Sequence, residues 1–332
     1  VKKMAELRWN PLLKTYTMVA NNRQKRPHLP KDWCPFCPGE AKNVPDDYDV
    51  LKYDNDFPAL KQNPDIPDLE SESVYKVEKN YGKCEVILYS PDHYITLPEL
   101  PLWHIEKLVN LWIERNEELS KDRKIKYVFP FENRGEEVGV TMPHPHGQLY
   151  AYSWIPLKIK TELDSSKEYY EENKKCLICE MNEKETDYKK RILYENESFL
   201  VYLPFFTDYP YGAFIVAKDH ISNFVDFSSK RKKDLAKALK ILTGGFDSMF
   251  HKKFPYMMVI HQTPVNSEKY KDSEKYYHFH IEFYPPLRDE NKIKWYASSE
   301  MGAWAAANTM AVEDTAPVLK KAIDSYREKE GI

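Results

Sequence analysis

Two stretches of this chain repeat one order of landmarks, and that repetition restricts the fold more than any single motif. The first stretch opens with Cys34-Pro35-Phe36-Cys37 and continues to a strand-like run closed by Pro91-Asp92-His93. An amphipathic segment at 99–119 and a strand-like run at 125–131 follow. It ends in Pro143-His144-Pro145-His146-Gly147-Gln148, which feeds an alternating apolar run over 149–155. The second stretch opens with Cys176-Leu177-Ile178-Cys179 and has strand-like runs at 199–205 and 212–217, closed by Lys218-Asp219-His220. A second amphipathic segment spans 229–250, a strand-like run spans 256–260, and Tyr277-His278-Phe279-His280 leads into another. The halves share pattern far more than identity, so the order points to an internal duplication. Strand-like runs outnumber helical ones in each half. This predicts an α+β fold of two similar halves, 1–173 and 174–332, each with an antiparallel sheet flanked by helices.

The paired histidines carry the chemistry. In extended backbone, side chains at i and i+2 share a face, so His144, His146 and Gln148 should line one side of one strand edge. Pro143 and Pro145 stiffen that edge and exclude helical geometry from the residues before them. Both cysteine pairs have the spacing of a metal knuckle, with a redox pair as the alternative. Pro38-Gly39 reads as a turn, whereas a redox pair normally opens a helix, which favours metal at Cys34 and Cys37. Each half then supplies two thiolates, a strand-end imidazole and the first histidine of its His-x-His. The sets are Cys34, Cys37, His93 and His144, and Cys176, Cys179, His220 and His278. Cys₂His₂ is a closed tetrahedral zinc site, so two structural zinc ions are expected. His146 is left for other work.

Other segments fit around a site for a small anion. Arg23, Lys25 and Arg26 cluster in a poorly regular segment whose guanidinium forks suit a phosphate. Residues 40–72 read as a long loop carrying Asn55 and Asp56 beside an apolar anchor, Phe57–Leu60. Residues 74–90 read as a hairpin, and 159–173, which include Glu162, as a helix. Formal net charge is −3 over 332 residues, so no strong field attracts nucleic acid or an anionic membrane. No apolar run reaches the length of a membrane span, and the opening residues lack the apolar core of a signal peptide. Four of the five cysteines sit in the two knuckles and Cys84 stands alone, which suits a cytoplasmic metal protein better than a disulfide scaffold.

With these residues in view, the chain resembles the galactose-1-phosphate uridylyltransferase family of the histidine triad (HIT) superfamily over nearly its whole length. The segments that carry the resemblance are RWNPLLKTYTMVANNRQKRP, CPFCPG, NDFPAL, SPDH, FENRG, PHPHGQ, FPYMMVIHQTPVN, HFHIEFYPP and IKWYASSE. The resemblance implies a HIT-like fold and a ping-pong exchange of UMP between UDP-glucose and galactose 1-phosphate through a uridylyl-histidine. It implies His146 as nucleophile and Gln148 as donor to a phosphoryl oxygen; hydrolases of the superfamily have another histidine at that place. It also implies substrate contacts at Arg23, Arg26, Asn55, Asp56, Asn133, Gly139, Val140 and Thr141, a sugar-side segment at Lys294, Trp295, Ser299 and Glu300, and a homodimer whose arginines cross between subunits. Some members hold iron or zinc through a glutamate and three histidines, which fall here on Glu162, His261, His278 and His280. That set is the alternative for the second metal. Met142, Ser299 and Ala306 depart from residues found in some members and leave the hexose open. Related proteins transfer adenylyl groups from ADP-sugars or hydrolyse nucleotides, and these are the alternative activities.

Overall fold

The computed structural model describes residues 5–25, 33–40 and 44–332, with Lys25 described in its backbone alone. Arg26 lies outside the described residues. In chain order the strands are β1 (Ala5–Asn10), β2 (Thr15–Ala20), β3 (Leu51–Asp54), β4 (Val77–Lys79) and β5 (Gly82–Leu88). Helix α1 (Leu102–Ser120), β6 (Tyr127–Arg134), β7 (His146–Tyr152), α2 (Leu157–Asn173) and α3 (Leu177–Tyr188) follow. The remainder comprises β8 (Ile192–Glu195), β9 (Phe199–Tyr202), β10 (Ala213–Ala217), α4 (Ser229–Met249), β11 (Tyr256–His261), β12 (His280–Tyr284), α5 (Ser298–Ala303) and α6 (Val312–Glu330).

Nine of these strands form one antiparallel sheet in the order β3-β5-β7-β6-β11-β12-β10-β9-β8. The expected duplication is visible in its topology. In the first half β5, α1, β6 and β7 run in sequence and β7 inserts between β5 and β6. In the second, β10, α4, β11 and β12 do the same, with β12 between β10 and β11. The two half-sheets do not stand apart: β6 pairs with β11, from Tyr256 opposite Arg134 to Val259 opposite Phe131, and makes one continuous sheet. The FENR segment thus extends β6 beyond the strand-like run at 125–131, because its main chain is needed for that joint. The hairpin expected over 74–90 also does not form. β4 joins β1 and β2 in a separate three-stranded sheet, while β5 pairs with β3 and β7.

One face of the large sheet is dry. Val128, Leu149, Ala151, Val201, Ile215, Ile260 and Ile281 pack against α1, α4 and α6 in a single apolar cluster. Helix α1 buries Ile105, Leu108, Val109, Trp112 and Ile113, the spacing of one helical stripe. Helix α4 starts at Ser228, whose hydroxyl accepts from the Arg231 N–H at 3.2 Å. Its paired glycines let α6 approach closely: a Cβ on Gly244 would overlap the Tyr326 ring, and one on Gly245 would overlap Ile323 Cγ1. The opposite face carries His146, Gln148, Tyr150 and Tyr152 on β7 and His280, Glu282 and Tyr284 on β12, so all the expected chemistry lies away from this helical layer. Gly245→Val should therefore lower stability by about 1–3 kcal/mol through overpacking. Denaturant unfolding checks this, and an unchanged midpoint would refute the close α4–α6 contact.

Candidate active site

His146 is the first residue of β7, opposite Leu88 of β5. Its Nδ1 lies 2.7 Å from the His144 carbonyl oxygen. Nδ1 therefore holds the proton in the neutral ring and Nε2 carries the lone pair. The backbone before it is tied to the neighbouring strand, with the Tyr89 N–H donating to the Pro145 carbonyl at 3.0 Å. The residue after it must be small. A Cβ on Gly147 would sit 2.5 Å from the Tyr89 hydroxyl and 3.1 Å from the Phe131 carbonyl oxygen. Gln148 accepts through Oε1 from the Tyr150 hydroxyl at 3.5 Å, and that hydroxyl accepts from Arg23 Nη1 at 3.2 Å. The chain of contacts directs the amide oxygen toward Tyr150 and makes the amide NH₂ the end that can donate elsewhere.

Arg23, Asn133, Gly139, Val140, Thr141, His146 and Gln148 line one cavity of about 290 Å³ together with Phe131 and Tyr150. The last two were missed in the sequence. Their signal was alternation: Phe131 sits opposite Gln148 in the register, and Tyr150 is two residues beyond it. Other expected residues lie elsewhere in the chain. Asn55 and Asp56 follow β3, two strands from β7; Asn55 Oδ1 accepts from the Phe57 N–H at 2.9 Å and Asp56 Oδ2 from the Tyr53 hydroxyl at 2.8 Å. Lys294 belongs to the second half, its ammonium over the stacked rings of Tyr209 and Tyr296. Trp295 is 67% exposed. Ser299 and Glu300 begin α5, where they bond the Ala305 carbonyl and the Ala297 N–H.

Both cysteine sets converge. In each, the ligand atoms lie within 4.8 Å of one another. Cys37 Sγ is 3.3 Å from His93 Nδ1 and 3.7 Å from His144 Nδ1. Cys179 Sγ is 3.5 Å from both His220 Nδ1 and His278 Nδ1. The opposite ring nitrogens are held by carbonyls: His144 Nε2 by Ser90 at 2.8 Å, His220 Nε2 by Glu274 at 2.7 Å and His278 Nε2 by Ala217 at 2.9 Å. That fixes the tautomer whose Nδ1 lone pair faces the thiols, the arrangement a metal ligand requires. Burial pushes His144 down to about 4, which also keeps the ring neutral. The two donor sets fit a tetrahedral, thiophilic ion. The second knuckle, unlike the first, does open a helix, with Cys176 as the N-cap of α3.

The alternative second set is not assembled as expected. His278 faces the thiols and not Glu162. The cluster that forms is Glu162, His261, His280 and Glu282. Strand geometry explains the exchange: Glu282 stands two residues past His280 on the same face of β12, while His278 precedes the strand. Glu162 Oε2 is 2.9 Å from His261 Nδ1 and accepts from the Tyr277 hydroxyl at 2.8 Å. Glu282 Oε1 is 3.3 Å from His280 Nε2, and Lys158 Nζ donates to Glu282 Oε2 at 2.5 Å. Burial would raise the Glu282 carboxyl, but His261, Lys158 and His280 outweigh it and hold the group well below the carboxylate range.

A strand-borne imidazole oriented by a carbonyl, beside an arginine and an amide on a duplicated α+β scaffold, is the site of a nucleotidyl-handling protein. The chain belongs to the galactose-1-phosphate uridyl transferase family: the N-terminal domain of that family matches residues 2–156 and the C-terminal domain residues 162–328. It is 42% identical over 319 residues to galactose-1-phosphate uridylyltransferase of Thermotoga maritima, covering 96% of this chain and 98% of the relative. The enzyme of the same name from Schizosaccharomyces pombe is 33% identical over 321 residues, 86% of each chain. A solved uridylyltransferase structure superposes with a TM-score of 0.87 at 32% identity, covering 96% of this chain and 99% of that one. ADP-glucose phosphorylase from Arabidopsis thaliana superposes with a TM-score of 0.73 at 25% identity, covering the same shares of the two chains.

Gly147→Ala should push β7 off Tyr89 and cost about 1–3 kcal/mol of stability. Denaturant unfolding measures the loss, and a variant as stable as the parent would show that Tyr89 does not confine this backbone.

Proposed function

We propose that this chain exchanges UMP between UDP-glucose and galactose 1-phosphate through a uridylyl-histidine at His146. The observation that carries the reading is the His146 ring, with Nδ1 on the His144 carbonyl, in one cavity with Gln148 and Arg23. In the first half-reaction the Nε2 lone pair bonds to the α-phosphorus of the nucleotide sugar. The bond from that phosphorus to the bridging oxygen breaks, and its electron pair leaves with glucose 1-phosphate. The Nδ1–H donates to the His144 carbonyl throughout, and that bond stabilises the positive charge the ring acquires. In the second half-reaction an oxygen of galactose 1-phosphate attacks the same phosphorus and expels Nε2. Attacking and departing groups are alike, so the exchange is nearly balanced and needs no strong general acid. Gln148 donates to a non-bridging oxygen as charge builds there, and Arg23 and Asn133 hold the phosphates.

Zinc is the ion we assign to each Cys₂His₂ set, because paired thiolates with imidazoles favour it. Its contribution is structural: no open position remains for substrate, and at the first knuckle it would pin His144 beside the nucleophile. The Glu162, His261, His280 and Glu282 cluster already contains the cation Lys158, so no iron is assigned there. We take 1–173 and 174–332 as the two repeated halves. Lys294, Trp295, Ser299 and Glu300 lie outside the His146 cavity of their own chain, which is the reason to propose a homodimer in which a second copy supplies them; Arg23, expected to cross to a partner, lines the cavity of its own chain. Asn55 and Asp56 are assigned to the nucleoside. No helix among the described residues is long and apolar enough to cross a membrane, and thiol-rich knuckles suit a reducing compartment, so the cytoplasm is the proposed location.

Incubation with UDP-glucose alone should add one uridylyl mass to the intact protein and release glucose 1-phosphate. Galactose 1-phosphate should then discharge the adduct to UDP-galactose. His146→Gly should form no adduct and lose on the order of 10³-fold or more in exchange rate. Discharge only to water would overturn the transfer reading, and labelling only by an ADP-sugar would change the donor. Elemental analysis should find zinc near two equivalents per chain, with Cys34→Ser and Cys176→Ser each losing one and each lowering thermal stability. Retention of both ions in Cys176→Ser would refute the second site.

A further inference from the structure

Glu132 has no part in the chemistry above, yet it sits directly behind it. Phe131 and Asn133 face the cavity, so alternation turns Glu132 to the dry side of the sheet, where it is 5% exposed. A carboxyl in such surroundings is costly unless both oxygens are partnered. Tyr89 donates its hydroxyl to Oε2 and Tyr256 donates to Oε1, each at 3.1 Å. The two phenols differ in what else they touch. Tyr89 holds both flanks of His146: its N–H binds the Pro145 carbonyl and its hydroxyl lies beneath Gly147. Tyr256 is on β11, opposite Arg134, and packs its ring on Phe283 away from the His146 segment.

We propose that Glu132 is a positioning residue for uridylyl transfer: through Tyr89 its carboxylate fixes the backbone on either side of His146, so that imidazole and Gln148 stay aligned on the phosphorus. This rests on the transfer reading given above. The carboxylate form is the one that serves both phenols, since a protonated carboxyl spends one oxygen as a donor and leaves one phenol without an acceptor. The ionisable groups facing Glu132 are Tyr89 just past β5, Tyr256 from β11, Arg134 from its own strand and Asp247 from α4. Burial pushes Glu132 up to about 7, against the pull of Arg134, Tyr256 and Tyr89 and with a further rise from Asp247. The device is therefore complete above neutrality and partly lost below it.

Three variants test this by the rate of His146 adduct formation from UDP-glucose. Tyr89→Phe should slow that rate about tenfold with little change in KM, the signature of lost alignment. Tyr256→Phe removes a hydroxyl from the same carboxylate and should keep the rate within about twofold, by the same reasoning. Glu132→Gln should be about tenfold slower than the parent at pH 8, and the ratio should approach one at pH 6, where the parent is itself protonated. Taking the ratio cancels the titration of His146. A Tyr89→Phe rate equal to the parent's, equal losses in the two tyrosine variants, or a ratio flat with pH would each overturn the proposal. A parent protein that forms no adduct at all would instead overturn the transfer reading.

Discussion

Imidazole rings tied to main-chain carbonyls are what the rest of this structure depends on. In each His-x-His the first ring gives Nε2 to a carbonyl and Nδ1 to the thiols: His144 to Ser90, His278 to Ala217. The second ring gives Nδ1 to the carbonyl of the first: His146 to His144 at 2.7 Å, His280 to His278 at 2.9 Å. A neutral imidazole has one donor and one acceptor, so each of these bonds decides which nitrogen is left to act. The strand ends beside them put those carbonyls in place, and at each of them two thiols and two imidazoles converge.

The halves use the same mount for opposite electrostatics. Gln148 sits opposite Phe131 and Glu282 opposite Val259, so the neutral amide of one half is a carboxylate in the other. His261 faces His280 at the register position that Asn133 reaches two residues past Phe131. A phosphate entering the first half meets Arg23, Asn133 and an amide. One entering the second would meet Glu162 and Glu282, two carboxylates against the single ammonium of Lys158, which lies 2.5 Å from Glu282 and 3.7 Å from Glu162. Like charge excludes the anion there. Duplication supplied two mounts, and the residue at i+2 from the second histidine decided which would handle phosphate.

That division shows what sequence could and could not carry. Cysteine spacing, strand-end histidines and i, i+2 alternation are local: they put His146 and Gln148 on one face of β7 and bring each cysteine pair to its two histidines. The same alternation, carried on from His280, reaches Glu282, which the set of Glu162 and three histidines omits; His278 lies instead beside Cys176 and Cys179. Long-range pairing is different in kind. Nothing local in Val77–Lys79 says that it joins β1 and not β5, and nothing in Phe131–Arg134 says that its edge is taken by Tyr256–Val259. Those choices are set by which edge is left open once the nearer strands have paired. The final helix, α6, passed unread although its buried side chains have helical spacing, because it carries no chemistry to draw attention to it.

The mount also links the first cluster of thiols and imidazoles to His146 without contact between them. His144 offers its ring to the first knuckle and its carbonyl to His146, so one residue belongs to both. Ser90 at 2.8 Å and Tyr48 at 3.4 Å hold the ring from its other side, and the residue is buried, so the carbonyl that orients His146 sits in a packed bend. From the opposite side, Tyr89 binds the Pro145 carbonyl and underlies Gly147. Residues 144 to 147 are thus held at each successive main-chain unit, by knuckle, strand and phenol in turn. Such redundancy suits a nucleophile that must attack and be expelled along one line, because a small tilt of the ring at either step misaligns the other. The cluster of two thiols and two imidazoles and the buried carboxylate thus bear on this segment from opposite faces of one sheet.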